Sequence, residues 1–84
     1  MRVLIRLYEG YLKSLNTIKT DCDTGKISTE EAIERANSLL MELEVVLPSQ
    51  DLFYPEMYTH NLYDLRDQFK DFISRLQQEN ILTQ

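Results

Sequence analysis

Eighty-four residues make one small domain, with space for two layers of structure and none for a deep substrate cleft. Hydrophobic residues at 43%, with only two glycines and two prolines, argue against disorder. A lone cysteine, Cys22, and a lone histidine, His60, exclude an internal disulfide and a zinc site of four such ligands, and an unpaired thiol fits a reducing cytoplasm. The net charge of −5 is unevenly placed: residues 1–20 hold four bases against Glu9, whereas residues 21–56 hold nine acids against Lys26 and Arg35. Such an acidic middle repels phosphates, which disfavours nucleic acid and anionic membrane and suits a basic protein partner. A solvated helix surface is the plainer reading of the same charges.

The opening "MRVLIRLYEGYLKSL" begins like a leader, but Arg6, Glu9 and Lys13 break the apolar run, so no targeting or membrane-spanning segment is expected here. Leu4, Leu7 or Tyr8, Tyr11, Leu15 and Ile18 recur at helical spacing, with Arg6, Glu9, Lys13 and Asn16 opposite, and predict an amphipathic helix over about 2–22. Gly10 costs that helix about 1 kcal/mol relative to alanine and hints at a close helix crossing or a weak point.

Next comes "DCDTGKISTEE", which has some of the order of a calcium loop. Gly25, Ile27 and Glu31 occupy the sixth, eighth and twelfth places of an EF-hand, yet the first, third and fifth ligand places then fall on Thr20, Cys22 and Thr24, and Asp21 and Asp23 are one residue out of register. No metal site is expected. A hinge explains the same residues: Gly25 takes a left-handed conformation, Ser28 caps the following helix with Glu31 closing a capping box, and Ile27 staples onto Ala32.

The second periodic segment carries Ile33, Ala36, Leu40, Leu43 and Leu47, widened by Leu39 and Val46, and runs from Thr29 until Pro48. Beyond it, "PSQDLFYPEMYTHN" brackets Leu52, Phe53 and Tyr54 between two prolines, with Met57 and Tyr58 close behind. Ser49 is placed to cap one short helical turn that Pro55 limits. These side chains either plug the open end of a bundle or, as Asp51, Phe53, Tyr54 and Tyr58, form a protein-binding cluster. Leu62, Leu65, Phe69, Phe72 and Leu76, with Ile73 beside them, predict the last helix. Glu31 with Arg35 and Asp71 with Arg75 are ion pairs one turn apart, each worth a few tenths of a kcal/mol.

No arrangement for catalysis or cofactor binding is visible. His60 has no nucleophile at a recognisable spacing and reads as a surface or capping residue; Cys22 has no basic neighbour to make a thiolate and reads as a partly buried structural thiol; two glycines cannot build a phosphate loop. A non-enzyme is expected.

The segment "PSQDLFYP" resembles the Pro-Ser-x-x-Asp-Leu-x-Tyr-Tyr-Pro stretch of the immunity proteins that neutralise nuclease colicins and pyocins, and it falls between the acidic second helix and the last one, as theirs does. In that family the stretch is a short separate helix whose aspartate and tyrosines grip the basic toxin. The resemblance implies contact roles for Asp51 and Tyr54 and a structural role for Leu52, and acidic specificity contacts from the second helix at Glu30, Glu34 and Glu42. One tyrosine of the motif is absent, and the tryptophan–arginine pair of the family's last helix has no counterpart in "LRDQFKDFISRL". A looser likeness, "GKIS" with "EEA" and an Asn-Leu-x-x-Leu-Arg helix, is similar to immunity proteins of the transfer-RNA-cleaving colicins.

The expected fold is all-helical, an antiparallel three-helix bundle with a short extra turn near 49–56, or a four-helix variant of it. The expected function is a cytoplasmic, non-catalytic inhibitor of a basic toxin or nuclease. Alternatives are a phage-encoded inhibitor of a host defence nuclease and an adaptor bundle that self-associates through Val3, Met41 and Val45.

Overall fold

The computed structural model describes residues 2–83, with the side chains of Arg2, Val3, Asp51, Glu56, Tyr58 and residues 80–83 outside the description. Three helices follow in chain order: α1 (Arg2–Asp23), α2 (Thr29–Phe53) and α3 (Glu56–Thr83). Short connections force an antiparallel, up-down-up order, and all three helices pack on one another in a rod of 45 × 19 × 16 Å. The long dimension is close to the roughly 42 Å that 28 helical residues span.

The core follows the predicted periodicity with some shifts of register. Leu4, Leu15 and Ile18 from α1, Ala32, Ala36, Leu43 and Leu47 from α2, and Leu62, Leu65, Phe69, Ile73 and Leu76 from α3 are buried. Ile33, Leu40 and Phe72, expected in the core, are only partly buried at its edge, and Phe72 accepts Lys19 Nζ over its ring at 5.7 Å. Thr59, which no hydrophobic pattern singles out, is fully buried. Gly10 marks no close crossing, since a Cβ built there meets nothing within 4 Å and the residue is exposed.

The hinge forms as the turn chemistry dictates. Gly25 has φ 80°, the Lys26 amide donates to the Asp21 carbonyl at 2.8 Å and the Gly25 amide to the Cys22 carbonyl at 3.2 Å, the paired bonds of a Schellman cap. Ser28 Oγ accepts from the Glu31 amide at 3.1 Å. The reciprocal half of the expected capping box is not made; Glu31 Oε1 instead accepts from Arg35 Nη2 at 2.8 Å. Ile27 packs on the core cluster that contains Ala32. Ser28→Ala is therefore expected to cost about 1 kcal/mol, read as a lower urea midpoint with an unchanged slope; an unaltered midpoint would mean that the cap contributes nothing.

The largest departure from the sequence reading lies at Pro48. Helix α2 continues through it to Phe53, so the short extra turn at 49–56 is not a separate element, Ser49 is an exposed helical residue rather than a cap, and the four-helix variant does not form. The helix stops instead at Tyr54, which is extended (φ −130°, ψ 142°) while its amide still donates to the Gln50 carbonyl at 2.9 Å. The stop has a local cause: the ring of Pro55 excludes the helical conformation from the residue before it. Pro48 removes one donor and crowds the turn before it; Leu43 and Leu47 are buried ahead of it, and Tyr54, just beyond the helix end, packs on the core.

Candidate functional site

The candidate residues fall on two connected surfaces, the solvent face of α2 and the corner where α2 turns into α3. Glu30, Glu34 and Glu42 are all exposed on α2, one to each of the first four turns save the third. Glu42 also reaches the α1 edge, beside a shallow groove lined by Tyr11, Met41, Val45 and Val46. Burial, then the nearby Glu42 charge, pushes the Tyr11 phenol above its usual value of 10.0, which places that carboxylate within electrostatic reach of α1. Glu44, the other acid of this region, is held by Lys70 of α3 at 3.6 Å.

At the corner the predicted aromatic cluster divides. Phe53 is 76% exposed, whereas Tyr54 is partly buried and packs on the core, so of the two neighbours only Tyr54 has the burial that an end plug requires. Leu52, assigned a structural role through the family resemblance, is 83% exposed: with α2 continuous through Pro48, position 52 falls on the helix face turned away from the core. The side chains of Asp51 and Tyr58, both proposed as contacts, lie outside the described residues. Met57 is 76% exposed and joins Ile5, Tyr8 and Asn61 around a groove between the start of α3 and α1.

Two exposed apolar residues of α2, Met41 and Val45, continue this surface away from the corner. These are two of the surplus apolar positions that the sequence offers for self-association; the side chain of the third, Val3, lies outside the described residues. The missed signal was their spacing: 41, 45, 48 and 52 step by four, three and four, a second helical stripe beside the core one.

Among the described residues, His60 and Cys22 are not assembled into a site. His60 Nε2 stands 3.2 Å from Asp64 Oδ2 on the open surface, an i,i+4 pair on α3. Cys22 is partly buried against the core. Among the described residues no group of three or more His, Cys, Asp or Glu side chains is placed to hold a metal ion, and no helix is long and apolar enough to cross a membrane. The geometry offers surfaces for contact, acidic along α2 and apolar toward the corner. No family model, no curated protein and no solved structure matches this chain.

Proposed function

We propose that this chain is a non-catalytic protein inhibitor of the immunity or antitoxin kind, acting by covering a basic surface of a toxin or nuclease. The observation that carries the reading is one continuous face: exposed Glu30, Glu34 and Glu42 on α2 lead to exposed Phe53 at the corner, with partly buried Tyr54 anchoring that corner to the core. Such a face divides its work as inhibitor surfaces do. Carboxylates steer a basic partner and set its association rate, while a desolvated aromatic slows its departure. The likeness of "PSQDLFYP" to immunity proteins supports the same class, although the separate short helix of that family is here the end of α2.

The test is capture from the native host with wild-type bait, followed by an activity assay of what is captured. The expected result is a basic protein whose activity falls to near zero at one equivalent of inhibitor. Phe53→Ala should weaken that complex by about 2 kcal/mol, roughly thirtyfold, while moving folding stability by no more than about 0.5 kcal/mol. Tyr54→Ala should cost folding stability, about 1 to 2 kcal/mol, because its ring leaves a gap in the core edge. A captured partner that is acidic, or that keeps full activity when saturated, removes the proposal. Exposure of Met41 and Val45 favours a second reading, a bundle that self-associates, for which sedimentation would show mass rising with concentration.

A further inference from the structure

We propose that the outward stripe of α2, Met41, Val45, Pro48 and Leu52, is the seat of an amphipathic basic α-helix belonging to the partner. The inference rests on the basic-partner reading above and adds the form of the ligand and where it lies. Met41, Val45 and Leu52 are 69, 75 and 83% exposed, and Pro48 is exposed between them. At about 100° per residue the four positions fall within one narrow line of the helix, while Leu43 and Leu47 sit on the opposite, buried side. The latter half of α2 is thus apolar on two faces, and only one is covered within this chain.

The shape and length of the stripe specify a helical occupant. It runs for about three turns, roughly 17 Å, with the four-three-four spacing that a second helix matches by laying its own i, i+4, i+7 anchors alongside. Within α2 the backbone bonds are used internally, save at the Glu44 carbonyl that Pro48 cannot serve, so an extended strand has no ladder to join.

Charge then chooses between a second copy and a foreign helix. Helix α2 carries six acids against Arg35, and from position 36 to its end it has no base at all. Glu34 and Glu30 stand on the same line as the stripe at its N-terminal end, Glu42 flanks it on one side and Glu44 on the other, with Lys70 of α3 reaching Glu44. Pairing two copies of this face sets acids against acids within the roughly 8 Å over which salt leaves charges felt. A helix with apolar residues on one side and lysines or arginines on its flanks covers the same stripe and neutralises those carboxylates. Anionic lipid, which also covers apolar helix faces, is repelled by the same acids.

A synthetic helix of about five turns, with leucines at i, i+4, i+7 and i+11 and lysines on the flanks, is the probe, and calorimetry with amide shift mapping is the readout. Its composition scrambled to break the period is the control. The expected result is saturable binding that shifts α2 amides around Met41 to Leu52, falls with added salt, and weakens at least about tenfold in the double variant Val45→Ser, Leu52→Ser. Both substitutions are at exposed positions, and an unchanged melting curve confirms that the variant folds. Equal binding of the scrambled peptide, or of the double variant, overturns the proposal. So does a dimer of the chain that the double variant dissolves, which would assign the stripe to a second copy. If the probe fails while a captured basic protein is still inhibited and still released by Phe53→Ala, the stripe assignment falls and the inhibitor reading stands; an acidic captured partner sinks the inhibitor reading itself.

Discussion

Phe69→Ala should bring the domain to the edge of unfolding. Phe69 is fully buried at mid-length of α3, in a core cluster to which α1 contributes Leu15 and α2 Leu43 and Leu47. Truncating a buried phenylalanine costs about 3 to 5 kcal/mol through lost transfer energy and the cavity left behind. A chain of 84 residues has on the order of 4 to 13 kcal/mol in total, so at the low end nothing remains. Urea unfolding followed by far-ultraviolet circular dichroism should show a midpoint well below that of wild type, with Phe69→Leu intermediate. Phe72→Ala is the internal comparison: its ring is only partly buried, under Lys19, and its loss should cost less than half as much. Equal effects at 69 and 72 would mean that the core is not centred where the burial places it.

Pro48→Ala should stabilise the protein. Proline inside a helix is about 3 kcal/mol worse than alanine, because it has no amide to donate to the carbonyl four residues earlier, here that of Glu44, and its ring crowds that turn. Part of the gain is returned, since alanine frees the unfolded chain by about 0.4 to 1 kcal/mol. A net gain of about 2 kcal/mol remains, a rise in melting temperature of about 8 to 16 °C for a domain of this size. The side chain is exposed, so no core contact is lost. A variant that melts lower than wild type would mean that position 48 is a helix end, as sequence reading expected, with residues 49–53 a separate turn. Helix α2 would then lack the continuous outward line from Met41 to Leu52, and the docking stripe would go with it.

Much of this fold was determined by local chemistry that a single sequence displays. The hinge needed only Gly25, free to take φ 80°, and Ser28, whose hydroxyl reaches the Glu31 amide; the bonds of cap and turn, Lys26 to Asp21, Gly25 to Cys22 and Glu31 to Ser28, join residues no more than five apart. The three-four spacing of Leu62, Leu65, Phe69 and Leu76 likewise fixed a face of α3, because any helix places those residues together. The i,i+4 pairs Glu31–Arg35, at 2.8 Å, and Asp71–Arg75, at 3.1 Å, follow from helical geometry alone. What the tertiary structure decided lies around residues 48–54. Whether a helix passes through Pro48 depends on whether packing beyond it, where Tyr54 meets the core, outweighs a lost bond and a steric penalty, and that balance is struck between helices rather than within one. Continuity of α2 then turned Leu52 and Phe53 to solvent, drew Tyr54 onto the core, and lined Leu52 up with Met41 and Val45. Composition announced an acidic, aromatic-bearing surface; only the packing of three helices determined which of its side chains remained outside.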